Sequence, residues 1–98
     1  MAKYLMLWSL DRSKLPISPQ ERAVGWRMLI DMVKQDLQEG RMKDWGVFVG
    51  EMDGYGIMEG TELEVAQQTQ KYVPFVDFKV HPVASVDMLD ELVKSMSG

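Results

Sequence analysis

Residues 3–10, KYLMLWSL, decide the fold of this chain. The run is almost continuously apolar and has the length of a β-strand. Because successive side chains of a strand point to opposite faces, two apolar sets alternate along it. These are Tyr4, Met6 and Trp8 on one face and Leu5 and Leu7 on the other. A strand that is apolar on both faces is typical of the centre of a sheet covered on both sides.

The composition indicates one small domain, residues 1–98, with a net charge of −4. An acidic balance argues against a nucleic-acid backbone as partner. The chain has no cysteine, which excludes disulfides, thiolate metal sites and cysteine nucleophiles. The segment from Met1 to Leu10 lacks the features of a signal peptide, and no apolar run approaches the roughly 18 residues that span a bilayer. We therefore expect a cytoplasmic protein that does not bind membranes.

The sequence predicts seven elements, of which KYLMLWSL is the first. The pattern predicts strands at 3–10, 45–49, 54–60 and 75–83, helices at 18–39 and 61–71, and a last helix capped by Ser85. This order, β-α-β-β-α-β with a C-terminal helix, is the ferredoxin-like pattern of α+β folds. It implies a four-stranded antiparallel sheet in the order 4-1-3-2, with both long helices on one face.

Local signals support these boundaries. Ser18 and Thr61 each begin a capping-box spacing, completed by Glu21 and Glu64. The dipeptide 53–54, Asp-Gly, predicts a hairpin turn.

The two long helices differ in their apolar faces. The first helix has a stripe at helical spacing, broadened by methionines, that is wider than one sheet requires. In the second helix only Leu63 and Ala66 supply an apolar face.

The second face of the sheet predicts a partner. Two helices cover only one face of the predicted sheet. The other face also carries apolar side chains, from Leu5 and Leu7 and from the strand at 45–49. An uncovered apolar face of that size would aggregate. A homodimer formed sheet against sheet by two-fold symmetry is the simplest solution. The C-terminal helix covering part of the face is the alternative.

Over essentially its whole length the chain resembles the dimeric α/β-barrel superfamily, in which two ferredoxin-like subunits pair their sheets. Within it, the chain is similar to small uncharacterised families that begin with a strand such as KYLMLWSL and end with a segment such as YVPFVDFKVHPVASV. Related groups include muconolactone isomerases, antibiotic-biosynthesis monooxygenases, stress-responsive barrel proteins and chlorite dismutase-like haem proteins. The resemblance implies a fold and a dimer. No catalytic motif of these groups has a match in this chain.

The last strand carries the candidate catalytic residue. His81 is the only histidine, and its ordinary pKa suits proton transfer near neutral pH. Asp77 and Lys79 share its side of the strand, so the three could form a charged cluster at a ligand site. The alternatives are a strand-end histidine bonded to backbone or water, and an edge strand whose charges discourage aggregation.

Aromatic and acidic residues supply the other candidates. Trp8 and Tyr55 could line a ligand pocket, or pack in the core or the dimer interface. Glu51 and Glu59 flank the hairpin and could act as an acid–base pair or lie in solvent. No ligand set for a metal or cofactor stands out, so we expect neither.

Three functions remain open at this point. The first is a homodimer that binds a small apolar organic molecule in its barrel or in a cleft. The second is a cofactor-independent isomerase or monooxygenase that uses His81. The third is a protein-interaction module that docks a partner on its first long helix. Whether the chain is an enzyme is left undecided.

Overall fold

The chain is an α+β protein with one four-stranded antiparallel sheet and three α-helices. The computed structural model describes residues 2–50 and 52–98. The elements, in chain order, are β1 Ala2–Leu10, α1 Pro19–Gln38, β2 Asp44–Val47, β3 Asp53–Gly60, α2 Glu62–Gln70, β4 Val76–Val83 and α3 Val86–Met96. A single 3-10 turn, Arg12–Lys14, lies between β1 and α1.

β1 lies in the middle of the sheet. The strand order is β2-β3-β1-β4, which is the predicted order. β1 pairs antiparallel with β3 on one side and with β4 on the other, over almost its whole length. β2 and β4 are the two edge strands. The apolar run that predicted a central strand is therefore central.

The core lies between the sheet and the helices α1 and α2. Tyr4, Met6 and Trp8 point from β1 toward the helices and are buried. They pack in two adjoining clusters, one with Val65 of α2 and one with Val33 of α1. Both helices thus cover the same face of the sheet, and the opposite face, called the open face below, has no helix over it.

The helix starts follow the predicted caps. The Ser18 side chain accepts a hydrogen bond from the backbone N–H of Glu21, and Thr61 forms a reciprocal capping box with Glu64. The predicted inward face of α2 is wrong, because Leu63 and Ala66 are exposed and Val65 is buried instead. The polar Gln68 is buried beside it, since its amide binds a buried carboxylate of α1.

The predicted Asp53-Gly54 hairpin turn is also wrong. The backbone N–H of Phe48 donates to the carbonyl of Asp53 (2.8 Å), so pairing continues past the end of β2 and the dipeptide lies inside β3. Gly54 instead allows the ring of Trp8 to pack against β3. A Cβ at this position would lie 2.6 Å from Cε2 of Trp8, so only glycine leaves room for the indole.

Within the described residues, α3 makes no extensive contact with another helix or strand. Every one of its residues is exposed, including Leu89, Leu92 and Val93. The Cα radius of gyration is 16.3 Å, against about 13 Å for a compact domain of this length. The C-terminal helix therefore does not cover the open face of its own sheet, which was the alternative to a dimer.

Two glycine-to-alanine variants test this packing. Gly54→Ala should lower the free energy of unfolding by about 1–3 kcal/mol, because the added methyl group overpacks the contact with Trp8. Gly25→Ala is the matched control, since nothing lies within 4 Å of a Cβ there. It should raise the free energy of unfolding by about 0.5–1 kcal/mol, as expected inside a helix. Urea unfolding measures both, and equal midpoints for Gly54→Ala and wild type would contradict the packing.

Candidate functional site

The open face carries four of the five predicted site residues. Leu7 of β1 pairs with Tyr55 of β3 on one side and with Lys79 of β4 on the other. On the β4 side, Leu5 pairs with His81 and Ser9 pairs with Asp77. Asp77, Lys79 and His81 therefore form one file along the edge strand β4, and Tyr55 lies across β1 from them.

Charge is unevenly distributed across the open face. The β2 and β3 side carries three carboxylates, which belong to Asp44, Asp53 and Glu59. The β1 and β4 side carries the cationic Lys3 and Lys79 together with His81, opposed only by Asp77. An apolar centre separates the two sides and consists of Leu5, Leu7, Tyr55 and Ile57.

His81 is exposed to solvent on this face. Its side chain is exposed, and it lines neither of the cavities described below. Within residues 2–50 and 52–98 no group of three His, Cys, Asp or Glu side chains is placed to hold a metal ion. Glu59 faces Lys3 across the β1–β3 ladder. Its predicted partner Glu51 lies outside the described residues.

Tyr55 is held in place by polar and aromatic contacts. Its hydroxyl donates a hydrogen bond to Asp44 Oδ2 (2.8 Å), and its ring stacks on Phe48 at a centroid distance of 6.3 Å. The hydrogen bond to Asp44 is the main cause that raises the pKa of Tyr55, with desolvation and the charge of Asp44 adding to it. Tyr55 is therefore a neutral phenol near pH 7, with its proton directed at Asp44.

Trp8 lies on the opposite side of the sheet from the other four predicted site residues. Its indole stacks on Trp45 at 5.2 Å, meets Trp26 edge-on at 6.3 Å, and donates from Nε1 to the carbonyl of Tyr55 (3.2 Å). The cavity beside it holds about 10 Å³, which is scarcely one water molecule. The structure thus packs Trp8 into the core and leaves no ligand-sized space next to it.

A large apolar groove lies beyond Trp26, on the helix side of the sheet. It has a volume of about 470 Å³ and is formed by the N-terminal half of α1, residues 10–16 and residues 71–76. We call it the α1 groove. Its apolar lining includes Leu10, Trp26, Met28, Met32, Tyr72 and Phe75. Asp11, Lys14, Glu21, Arg22 and Lys71 supply the charged part of the lining.

Hydrogen bonds fix the walls of the α1 groove. Arg22 Nη1 donates to the carbonyl of Ile17 (2.6 Å), which holds the β1–α1 connection against α1. The backbone N–H of Asp11 donates to the carbonyl of Phe75 (3.0 Å), which joins the two loops. Hydrogen bonds from Ser13 lower the pKa of Asp11, whose carboxylate also pairs with Lys14. The walls of the groove are therefore held by hydrogen bonds within the chain.

The residues of the α1 groove were not among the predicted site residues. Two signals in the sequence bear on it. The apolar face of α1 is wider than the sheet needs, and Met28 is 68% exposed in the structure. The segment YVPFV, residues 72–76, is apolar on both sides, with Phe75 exposed while Tyr72 and Val76 are buried. Neither signal indicates that α1 and residues 72–76 lie opposite each other in the fold.

Asp36 is the one other site with concentrated polar chemistry that we find in the described part of the chain. Its carboxylate is 2% exposed and accepts hydrogen bonds from Tyr72 (2.7 Å), Arg41 (2.9 Å), Lys71 (3.2 Å) and Gln68. These donors come from α2 and from the segments that follow α1 and α2. The cluster therefore ties the two helices together.

The pKa values within this cluster move in opposite directions. Burial alone would raise the pKa of Asp36, but the hydrogen bonds from Tyr72, Arg41 and Lys71 and the charge of Lys71 outweigh it and lower the pKa below 3.8. Burial, reinforced by the hydrogen bond to Asp36, raises the pKa of Tyr72 far above its ordinary range. A charged Asp36 and a neutral Tyr72 are thus stable together, and the cluster has no proton to exchange near pH 7.

Comparison with known proteins gives no family for this chain. No family model, curated protein or solved structure matches it. None of the helices described is both long and apolar enough to cross a bilayer. Any assignment of function therefore rests on the geometry of the open face and the α1 groove.

Replacing Asp36 tests the buried cluster. Asp36→Asn should lower the free energy of unfolding near pH 7 by about 1.5–3 kcal/mol, the usual value of hydrogen bonds to a charged group. Because the folded-state pKa is lowered, this contribution is fully present above pH 3.8 and is lost as the pH falls through the folded-state value. Urea unfolding at pH 7 and pH 3 should therefore show a smaller acid loss in the variant than in wild type.

The matched control is Asp31→Asn on the same helix. Asp31 is exposed and forms a surface ion pair with Arg27 (3.7 Å), so its removal should change stability by less than about 0.5 kcal/mol. An equal effect of the two variants at pH 7 would show that the Asp36 cluster does not stabilise the fold.

Proposed function

We propose that this chain is a homodimeric protein of ferredoxin-like fold that binds a small, largely apolar organic molecule in the α1 groove of each subunit. The observation that carries the proposal is the groove itself, with its volume of about 470 Å³ and its mainly apolar lining. Sites for small molecules are usually preformed clefts of about 300–1,000 Å³ with few polar groups. The dimer belongs to the dimeric α/β-barrel type that the sequence resembles.

Aromatic and flexible side chains in the α1 groove support an organic ligand. Trp26, Tyr72 and Phe75 offer flat apolar surfaces, and Met28 and Met32 adapt to irregular shapes. Tyr72 uses its hydroxyl for Asp36, so its ring is the part available to a ligand. The charged groups of the lining are partnered within the protein, since Lys14 pairs with Asp11 and Lys71 with Asp36. The apolar surface is therefore the part of the groove that offers itself to a ligand.

The open face supports the dimer because its pattern is complementary to itself. A two-fold axis parallel to the strands would place β1 over the partner's β3 and β4 over the partner's β2, at matching levels along the strands. Lys3 would then face Glu59, Leu5 would face Ile57 and His81 would face Asp44, each in the other subunit.

The other face-to-face orientation is less favourable. An axis across the strands would oppose the carboxylates of Glu59 and Asp53. Like charges directly opposite each other weaken such an interface. The axis parallel to the strands is therefore favoured.

The α1 groove stays accessible in such a dimer, because it lies on the helix side and the interface on the other. An isomerase or monooxygenase that uses His81 has less support, because the imidazole is exposed and lines no cavity. Docking of a protein on α1 has less support as well, because the extra apolar width of that helix lines the groove.

Binding of 1-anilinonaphthalene-8-sulfonate tests the groove. Gly25 lies in the lining, and nothing lies within 4 Å of a Cβ there, so a larger side chain fits the fold and fills the groove. Gly25→Leu should weaken binding of this dye about tenfold, which corresponds to about 1.4 kcal/mol. Fluorescence titration of folded protein measures the change.

Ala23→Leu is the control, because it adds the same side chain at an exposed position of α1 that does not line the groove. Its dye affinity should equal that of wild type. Equal affinities for Gly25→Leu and Ala23→Leu would place the dye elsewhere and refute the groove as the ligand site.

Two charge-reversal variants test the dimer and its orientation. Lys3→Glu and Glu59→Lys should each be more monomeric than wild type, because each homodimer opposes like charges twice. An equimolar mixture should recover the dimer, because the heterodimer restores both opposite-charge contacts between subunits. The contact between positions 3 and 59 within each chain remains repulsive in the mixture, so the recovery reports only on contacts between subunits. Sedimentation velocity measures all three samples.

Two results would count against this arrangement. Wild-type protein that sediments as a monomer at micromolar concentration refutes the dimer. Variants that stay dimeric alone, or a mixture that behaves as the average of its components, refute the orientation with the axis parallel to the strands.

A further inference from the structure

We infer that α3 crosses to the other subunit of the dimer and packs along the partner's β2 edge. The inference rests on the proposed sheet-to-sheet dimer and adds a second contact to it. It assigns an interaction surface to the helix Val86–Met96, every residue of which is exposed in the subunit, and names a second copy of this chain as its partner.

α3 has the pattern of a helix that packs on another surface. Its apolar positions follow helical spacing: Val86, Leu89, Leu92, Val93 and Met96. Leu92 is 54% exposed, and none of the others is buried. Isolated helices shorter than about 12–15 residues are marginal in water, and stability comes from burying the apolar face. An 11-residue α3 therefore requires a surface to pack on.

The subunit's own groove is out of reach for α3. The α1 groove lies at the Val76 end of β4, whereas α3 follows the Val83 end after only Ala84 and Ser85. β4 spans about 26 Å between these ends at about 3.3 Å per residue. α3 is only about 16 Å long at 1.5 Å per residue. The helix therefore cannot fill the groove of its own chain.

The dimer orientation places α3 beside the partner's β2. In the favoured orientation β4 lies over the partner's β2, so a helix two residues past β4 emerges at that edge. An exposed edge strand is often protected by a covering helix. β2 is about 13 Å long, which an α3 of about 16 Å covers.

Apolar surface is available on the β2 edge, and the charge of α3 disfavours a lipid surface. Val47 at the end of β2 is 39% exposed, and the exposed Lys43 and Asp44 at its start carry opposite charges. α3 carries Asp87, Asp90 and Glu91 against the single Lys94. An acidic helix does not suit an anionic lipid surface, which favours basic helices.

The area of the open face also argues for the second contact. Three strands about 26 Å long and the shorter β2 of about 13 Å, about 4.8 Å apart, give a contact footprint of roughly 440 Å² per subunit. Stable specific interfaces bury about 800 Å² on each partner. Two symmetry-related α3 helices would supply the missing area.

Paramagnetic relaxation in a mixed dimer tests the inference. The chain has no cysteine, so Ser95→Cys on the polar face of α3 carries a single nitroxide. The nitroxide-labelled chain, prepared without ¹⁵N, is mixed with ¹⁵N-labelled wild-type chain under conditions in which sedimentation shows a dimer. We expect loss of amide signal in the ¹⁵N copy at β2, Asp44–Val47. The same sample with the nitroxide reduced is the control.

The outcomes separate the inference from the proposed dimer. Sedimentation as a dimer with no intersubunit signal loss, or with loss at Met28 and Phe75 of the groove, overturns the docking of α3 on β2 and leaves the dimer standing. Protection of the α3 amides from hydrogen exchange only when phosphatidylserine vesicles are added assigns the helix to a lipid surface and also overturns it. A monomer refutes the dimer itself.

Polar variants of α3 give a second measurement. Leu89→Ser and Leu92→Ser should each raise the dimer dissociation constant at least tenfold, whereas Lys94→Ser on the polar face should change it less than twofold. Since every residue of α3 is exposed in the subunit, we expect these variants to leave the body of the subunit folded. Equal dissociation constants for all three variants would overturn the inference.

Discussion

β1 sets the central constraint of this structure, because it is apolar on both faces and both faces must leave water. One set of side chains, Tyr4, Met6 and Trp8, is buried under α1 and α2. The other set, Leu5 and Leu7, has no cover within the chain. Hydrogen bonding to β3 and β4 fixes the strand in the middle of the sheet, so it cannot turn to hide one set. The helix arrangement and the proposed dimer both follow from this strand.

The helices that cover the first set are themselves joined by a buried charge. Asp36 accepts hydrogen bonds from α2 and from the segments after α1 and α2, and the described part of the chain contains no buried side-chain polar atom without a partner. Such a cluster resembles an active site in its perturbed pKa values, which can also arise from structural networks. Its saturated hydrogen bonds indicate that it organises the two helices.

Local chemistry determined which parts of the fold the sequence could predict. The strand KYLMLWSL, the caps at Ser18 and Thr61 and the alternation along β4 depend on neighbouring residues, and each was predicted correctly. The Asp53-Gly54 turn was predicted wrongly, because the glycine at position 54 makes room for the ring of Trp8, which is distant in sequence. The inward face of α2 failed for the same reason, since Gln68 is buried only because Asp36 lies opposite.

The candidate site was predictable only in part. Alternation placed Asp77, Lys79 and His81 together on one face, and the structure agrees. Trp8 and Tyr55 were grouped as possible ligand residues, but β-strand geometry places their side chains on opposite faces of the sheet. The α1 groove depends on how α1 meets the segment before β4, and this tertiary contact has no local signature. A site formed by two distant segments is visible only once the fold is known.

The position of the α1 groove on the helix side has a consequence for how the protein meets other molecules. In the proposed dimer the two grooves open outward in opposite directions, with two sheets between them. One ligand therefore cannot touch both sites, and two equivalent sites would fill independently. A molecule that carries two copies of the ligand could occupy both grooves only if its linker passes around the dimer. The overall affinity increases only when the linker spans that distance. The proposed geometry thus favours ligands that arrive as single free molecules over ligands displayed in dense arrays.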